Sequence, residues 1–265
     1  MLRYDARWLI EYYADEPPVR PGVPYSLLGT EYRVERLQGQ FQLTRATDVE
    51  PRLAFDETVA RLVSYDGRTL VAQPCAYSDG IRSNYAMDGE RGLRDVFRTE
   101  YGCRLPPLGD TRLSNGIGTT IVVFDNHGKP YLPRRAPKQS VFPAGFHCTA
   151  SGEAVWRDEG EMFESNICRE LEEEVGLTRA DLEWIRPLAL CREFLRGGKP
   201  QIFFAAGTGL SAEELGVRRR AAIAQQLARG RQEILDEVLR ELTPEAMAQC
   251  TIECLANLAL GPGGG

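Results

Sequence analysis

The sequence predicts an α+β protein, because hairpin-like strand pairs and separate amphipathic helices follow one another along the chain. One hairpin is expected at residues 58–73 and another around the turn at residues 125–128. Each is followed by a predicted helix, at residues 91–101 and at about 162–175. A Pro- and Gly-rich break at residues 106–110 places a domain boundary near residue 110. We therefore predict a smaller N-terminal α+β domain, residues 1–110, and a second domain, residues 111–265.

The first domain shows its pattern most clearly at the hairpin. In residues 58–65 polar and apolar side chains alternate and β-branched residues are frequent, which is typical of a strand. Asp66-Gly67 has the composition of a tight turn, and residues 69–71 form the returning strand. The helix at 91–101 is expected to stop at Gly102. Because both halves place a hairpin before a helix ending in Glu-x-Gly, the first half could be a degenerate copy of the second. The arrangement also arises by chance, and the first half lacks an acidic cluster.

The second domain contains three strand-like apolar segments, at residues 119–124, 184–191 and 201–206. Residues 148–160 are polar and are predicted to form a loop. The helix that follows, about 162–175, is expected to end at Gly176. The last fifty residues are predicted to be helical, from their apolar positions at Ile234, Leu235, Val238, Leu239 and Leu242.

The charge and the cysteine and histidine content of the chain indicate which partners, metals and cellular setting to expect. The chain has a net charge of −6 and a pI near 5.2, which disfavours a nucleic-acid polymer as the main partner but not a small phosphorylated substrate. The seven cysteines are scattered without a CxxC pair, so we expect reduced thiols and a cytoplasmic protein. With two histidines a histidine-based zinc site is not expected. No apolar stretch approaches a membrane span, and no signal peptide is evident at the start.

The helix at about 162–175 carries the densest cluster of acidic residues. Glu170, Glu173 and Glu174 stand at i, i+3 and i+4, so their carboxylates share one face of a helix. Like charges so placed repel each other unless a cation binds between them. Carboxylate oxygens suit Mg²⁺ or Mn²⁺. A stripe of apolar residues borders this face and is expected to pack on a sheet: Phe163, Ile167, Leu171 and Val175.

The spacing around this helix resembles the signature of the Nudix hydrolases, G-x5-E-x7-R-E-U-x-E-E-x-G-U, in which U is a bulky aliphatic residue. Glu161 is followed by seven residues and then by Arg-Glu-Leu-Glu-Glu-Glu-Val-Gly-Leu at 169–177, so eight specified positions match. The signature glycine would stand at 155, where the chain has Val155. We take Gly145 as its counterpart, which implies an enlarged loop of about ten extra residues between Gly145 and Glu161. The resemblance covers roughly residues 115–260.

The resemblance implies a Nudix fold, an α/β/α sandwich with a mixed β-sheet between helices. It implies hydrolysis of the diphosphate linkage of a nucleoside diphosphate joined to another moiety, with two to three Mg²⁺ or Mn²⁺ ions. Glu170, Glu173 and Glu174 would be metal ligands, together with the carbonyl of Gly145. One of Glu173 and Glu174 could also orient or deprotonate the water. Arg169 would pair with Glu161 and brace the junction between loop and helix.

Other residues are weaker candidates. Arg134, Arg135 and Lys138 could meet substrate phosphates or lie on a solvated surface. His147 could line the pocket, although a hydrogen-bonded structural role is favoured. A further acidic ligand from later in the chain could be Glu214, Glu233 or Glu237. We expect residues 1–110 to close over or beside the site, in one chain or through a homodimer, and to help choose the substrate.

Two other functions compete with hydrolysis. An isopentenyl-diphosphate isomerase has the same fold but needs a reactive cysteine in a particular segment; His147-Cys148 lies nearby without matching it. A non-catalytic nucleotide-binding regulatory module typically loses one of the helix glutamates, and all three are present here. The substrate is left open among nucleoside triphosphates, ADP-ribose, dinucleotides, nucleotide sugars and coenzyme A.

Overall fold

A computed structural model describes residues 32–36, 42–45, 57–65, 69–88, 92–102, 104–138, 143–157 and 162–261. The strands in these residues are β1 (Tyr32–Arg36), β2 (Gln42–Arg45), β3 (Thr58–Tyr65), β4 (Thr69–Ala76), β5 (Gly118–Phe124), β6 (Leu132–Arg135), β7 (Ala150–Glu153), β8 (Trp184–Glu193), β9 (Lys199–Gly207) and β10 (Ile234–Leu239). The helices are α1 (Tyr77–Arg82), α2 (Leu93–Tyr101), α3 (Met162–Val175), α4 (Ala212–Ala228), α5 (Pro244–Met247) and α6 (Ile252–Leu260). The mixture of sheets and separate helices confirms the predicted α+β class.

The chain divides into two compact units. Unit 1 comprises Met1–Gly118, Glu153–Met162 and Ala189–Ile202, and unit 2 comprises Thr119–Gly152, Phe163–Leu188 and Phe203–Gly265. Among the helices that the structure describes, none combines the length and the apolar character needed to cross a membrane.

Unit 1 is built on a sheet of order β2-β4-β3, in which β3 and β4 are antiparallel and β2 runs parallel to β4. The two strands of the predicted hairpin are thus confirmed, while Asp66 and Gly67 lie outside the described residues. Helix α2 is also confirmed, and it ends at Gly102 with φ 63°. Elsewhere in the unit, β1 pairs antiparallel with the second half of β8, residues 189–193.

Unit 2 contains residues 184–188 of β8, 203–207 of β9, 119–124 of β5 and 150–152 of β7, and these strands follow one another in a sheet. The strands predicted from apolar runs, β5, β8 and β9, are confirmed, and β5 and β9 are buried almost throughout. The turn before β6 is confirmed as well: the Asp125 amide bonds the Lys129 carbonyl at 3.0 Å. Continuous burial explains why β5 and β9 carry unbroken apolar runs.

Two predictions for unit 2 are wrong. Residues 234–239, expected in a helix, form β10, which pairs antiparallel with β6. Aliphatic residues four apart, Ile234 with Val238 and Leu235 with Leu239, satisfy both the helical and the strand period, and the neighbouring strand β6 decides between them. Residues 148–160, expected as a loop, contain β7, although its small residues Ala150, Ser151 and Gly152 have little intrinsic preference for a strand.

Candidate functional site

Helix α3 is fixed by the predicted apolar stripe. Phe163, Ile167, Leu171 and Val175 are all buried, with at most 4% of their surface exposed. Two carboxylates that border the stripe are buried with it: Glu170 is 8% exposed and Glu174 is 2% exposed. Glu173 lies on the exposed side of the helix. The helix therefore holds two of the three predicted ligands in the protein interior and leaves the third at the surface.

Arg169 joins two of these carboxylates. Its Nη2 atom donates to Glu170 Oε1 at 2.6 Å, and its Nη1 atom donates to Glu173 Oε1 at 3.0 Å. Nη2 also bonds the side-chain oxygen of Asn166 at 3.1 Å. A bracing role for Arg169 agrees with this geometry. Its predicted partner Glu161 lies outside the described residues, so that pair stays a prediction.

Asn166 and Thr119 connect Arg169 to the sheet. The Asn166 side-chain amide donates to Thr119 Oγ1 on β5 at 3.0 Å, and that hydroxyl donates to the carbonyl of Gly152 on β7 at 3.2 Å. Through Asn166 and Thr119, which are both buried, this chain of hydrogen bonds fixes the middle of α3 against the sheet.

Strand β7 brings two backbone groups to the buried carboxylates. A Cβ atom at position 152 would overlap the carboxylate of Glu170, so a larger residue there would force the Glu170 side chain to move. The amide of Ser151 donates to Glu174 Oε1 at 3.3 Å. The structure thus places Gly152 rather than Gly145 against α3. Eight residues separate Gly152 from Glu161, a shorter insertion than the one inferred from Gly145.

Gly145 lies elsewhere in unit 2, beside Arg135 and Thr251. Its carbonyl accepts a hydrogen bond from the amide of Arg135 at 2.9 Å, and a Cβ atom there would meet Thr251 Cγ2 at 2.9 Å. In the sequence, Gly152 stands between small and polar residues, Ala150 to Glu153, a composition that predicts a loop. A glycine required by a close approach is visible only once the strand has been placed.

Burial and like charge oppose ionisation of the two interior carboxylates. Burial raises the pKa of Glu170 to about 7; the adjacent Arg169 lowers it in part, and the charges of Glu173 and Glu233 raise it further. The pKa of Glu174 lies well above its usual range, first because of burial and then because of the charges of Glu233 and Glu170. Arg135 acts in the opposite direction on Glu174. The cluster thus holds more negative charge than its arginines offset.

Two of the three residues predicted as a further acidic ligand have partners elsewhere in unit 2. Glu214 bonds the amide and hydroxyl of Ser211 at the start of α4, at 2.8 Å and 2.7 Å. Glu237 pairs with Arg134, whose Nε atom lies 2.6 Å from Glu237 Oε2. The charge of Glu233 contributes to the raised pKa of Glu170 and of Glu174. Sequence spacing does not distinguish the three residues, since all of them lie far from α3 in the chain.

The three basic residues predicted to meet substrate phosphates differ in their surroundings. Arg134 donates to the carbonyl of Ala144 at 2.7 Å and to Gln249 at 3.0 Å, and its guanidinium lies 4.1 Å from the centre of the Phe146 ring. Together with the Glu237 pair, these contacts hold Arg134 in unit 2. Arg135 is the cation that acts on Glu174. Lys138 is exposed.

His147 and Cys148 are buried in unit 2. His147 is 2% exposed; its Nδ1 atom lies 2.7 Å from Thr251 Oγ1 and its Nε2 atom 3.2 Å from Ser151 Oγ. It therefore supports the residue whose amide bonds Glu174. Cys148 packs with Val122 and other apolar side chains and is 1% exposed, a position that disfavours the reactive cysteine an isomerase needs.

The donor set fits a hard divalent cation in its chemistry. Glu170, Glu174 and Glu233 offer carboxylate oxygens, and their mutual repulsion is what such an ion would relieve. Within the described part of the chain, no three His, Cys, Asp or Glu side chains converge as ligands of one ion. Arg169 instead bonds one oxygen of Glu170 and one of Glu173. Ion binding would therefore require these side chains to turn from Arg169 toward the ion.

No protein-family model and no curated protein matches the chain. Solved structures do: a MutT/Nudix family protein from Listeria innocua is 21% identical, covers 54% of this chain and 88% of its own, and has a TM-score of 0.37. A MutT protein from Methanosarcina mazei is 21% identical (37% and 65% covered, TM-score 0.25), and a Nudix hydrolase from M. smegmatis is 16% identical (36% and 61%, TM-score 0.25). At these TM-scores the solved structures say nothing of the function of this chain.

Proposed function

We propose that the chain is a Nudix pyrophosphohydrolase, which hydrolyses the diphosphate linkage of a nucleoside diphosphate joined to another moiety. One observation carries the proposal: the residues of the signature fold into a helix that buries Glu170 and Glu174 beside an apolar stripe. A solvated acidic helix would expose these carboxylates, since buried ionisable groups are costly unless they are paired or bind metal. Their burial therefore favours a site over a surface.

Glu170, Glu174 and Glu233 are the proposed ligands of Mg²⁺ or Mn²⁺, and Glu173 is a further ligand or orients the water. The bound metal would neutralise charge on the diphosphate and make a water molecule more acidic. The protein's own part is to position the carboxylates: Gly152 leaves room for Glu170, the Ser151 amide holds Glu174, and Arg169 orients Glu170 and Glu173. Arg135, close enough to act on Glu174, is proposed to meet substrate phosphate.

The proposed substrates are small phosphorylated molecules rather than nucleic-acid polymers. The net charge of −6 supports this, because a polyanion would be repelled outside the metal site. We further propose a reducing, cytoplasmic setting. In the part of the chain that the structure describes, six cysteines are present and all are free thiols.

The deciding experiment is a panel of nucleoside triphosphates, ADP-ribose, dinucleotides, nucleotide sugars and coenzyme A, assayed with Mg²⁺ and with Mn²⁺. We expect cleavage of the phosphoanhydride bond in at least one class, and loss of activity in chelator. Product analysis separates this outcome from the rearranged isoprenoid that an isomerase would release.

The test of the site compares two neighbouring glutamates of α3. Glu174→Gln keeps the size of the buried group and is expected to lower kcat at least about 100-fold, because it removes a charged metal ligand. Glu172→Gln is the matched control, since Glu172 occupies the unspecified position of the signature and is exposed; its kcat should change less than about 2-fold. Full activity of the Glu174→Gln variant would overturn the proposed mechanism.

A further inference from the structure

A buried glutamine connects the acidic helix α3 to Glu233. Gln226 lies in the last turn of α4 and is 8% exposed. Its Nε2 atom donates to the carbonyl of Glu173 at 3.0 Å, and its Oε1 atom accepts from the amide of Glu233 at 2.9 Å. One side chain therefore fixes the backbone of α3 and the backbone of Glu233 at the same time.

The hydrogen bond to α3 satisfies a backbone carbonyl that has no amide partner within the helix. The last carbonyls of a helix have no amide partner within it. Here Gly176, with φ 71°, ends α3; the amides of Gly176 and Leu177 turn back to the carbonyls of Glu172 and Leu171. The next carbonyl along, that of Glu173, is bonded by Gln226 instead. Because the next residue is Glu174, this hydrogen bond lies beside one of the proposed ligands.

The other contact holds the segment that carries Glu233. The carbonyl of Gln226 accepts from the amides of Arg229 and Arg231, at 3.0 Å and 2.9 Å, which closes the turn after α4. Beyond the turn, Glu233 is bonded on both sides of its peptide: its amide by Gln226 and its carbonyl by the amide of Ala136 at 2.9 Å. The backbone of Glu233 is thus fixed between α4 and the end of β6.

We propose that Gln226 is a positioning residue, which sets the place of the Glu233 carboxylate relative to Glu170 and Glu174 and so determines the affinity of the site for a divalent cation. The inference rests on the proposed function. The two hydrogen bonds of Gln226 join the α3 backbone at Glu173 to the backbone of Glu233, so they fix the helix that carries Glu170 and Glu174 against the residue that carries the third proposed ligand. Residues that orient metal ligands typically change metal affinity about 10- to 100-fold when they are replaced.

The test measures Mn²⁺ binding without substrate, by electron paramagnetic resonance and by calorimetry. Gln226→Met keeps the approximate volume but makes neither hydrogen bond, and Gln226→Asn keeps the amide but is too short to join both partners. We expect Mn²⁺ affinity to fall about 10- to 100-fold in both variants. Gln225→Met is the matched control: Gln225 is its exposed neighbour in α4, and its affinity should stay within about 2-fold of the original protein.

A double-mutant cycle with Glu233→Gln separates positioning from a structural role. If Gln226 acts through Glu233, Gln226→Met should change Mn²⁺ affinity less than about 2-fold when Glu233→Gln is already present. An equal loss with and without Glu233→Gln would mean that Gln226 only secures the end of α3, and would overturn the inference. So would an unchanged affinity in folded Gln226→Met and Gln226→Asn, with melting temperature recorded alongside.

The outcomes also distinguish this inference from the proposed activity. Tight Mn²⁺ binding without hydrolysis of any diphosphate would refute the activity, while the Gln226 variants still decide the positioning role. Hydrolysis with unaltered Mn²⁺ affinity in those variants would refute the positioning role alone. Absence of Mn²⁺ binding by the unsubstituted protein would overturn both.

Discussion

Removing the divalent cation is expected to make the stability of the protein fall as pH rises from about 4.5 to about 7. Burial raises the pKa of Glu170 from 4.5 to about 7. Between these values the folded protein keeps a proton that the unfolded chain has lost, so rising pH favours unfolding. The penalty is absent below about 4.5 and complete above about 7. Glu174, whose pKa is also raised, acts in the same direction.

The size of the effect follows from the Glu170 carboxyl alone. The difference between 4.5 and about 7, at about 1.4 kcal/mol per pKa unit, corresponds to about 3 kcal/mol. Because Glu170 is 8% exposed, solvent screens little of this energy. A cation bound to the carboxylates would offset the penalty, since binding stabilises the folded state by about 2.7 kcal/mol at a concentration 100 times Kd.

Urea unfolding, followed at about pH 5 and about pH 7.5, measures the effect. In chelator, the free energy of unfolding should be about 2 kcal/mol lower at the higher pH, because part of the effect is already lost at about pH 5, and excess Mn²⁺ should abolish the difference. Glu170→Gln cannot ionise and should lose most of the pH dependence, whereas the exposed Glu172→Gln should keep it. The reasoning is refuted if the metal-free protein is equally stable at both values, or if Glu170→Gln retains the full pH dependence.

Two further comparisons test how the site is built. Gly152→Ala should displace the Glu170 carboxylate and weaken Mn²⁺ binding at least about 10-fold, whereas Gly145→Ala, which meets Thr251 instead, should alter melting temperature with Mn²⁺ affinity within about 2-fold of the original; the reverse pattern in calorimetry would restore Gly145 as the metal-site glycine. Arg135→Gln should raise KM for the diphosphate substrate about 10-fold, through the loss of a charge-assisted phosphate contact. Arg134→Gln should leave KM within about 2-fold, because Arg134 already bonds protein groups; equal effects on KM would contradict this division.

The sequence predicts the parts of the fold whose signals are local. The apolar stripe of α3, the stop at Gly176 and the unbroken apolar runs of β5 and β9 each reflect burial of consecutive or regularly spaced residues. The failures depend on partners distant in the chain. β10 exists because β6 offers it a pairing edge. β7 exists although its small residues have little strand preference of their own.

The same division applies to the candidate site. The signature identifies Arg169, Glu170, Glu173 and Glu174 because their spacing within one helix is what the chemistry needs. Gly152 and Gln226 could not be found in this way, since they act through contacts from other elements: a close approach to Glu170 and a bond to the Glu173 carbonyl. Sequence spacing does not distinguish Glu233 from Glu214 and Glu237. In the structure, the charge of Glu233 contributes to the raised pKa of Glu174.

The balance of charge at the site gives a reason for expecting more than one cation during hydrolysis. When ionised, Glu170, Glu173, Glu174 and Glu233 carry four negative charges, and Arg169 and Arg135 carry two positive charges. One divalent cation would offset the remainder. A diphosphate adds more negative charge than Arg135 alone would offset, because Arg169 is already bonded to Glu170 and Glu173. Substrate binding would therefore require further cations, and the rate of hydrolysis should continue to rise at Mn²⁺ concentrations that already saturate binding to the substrate-free protein.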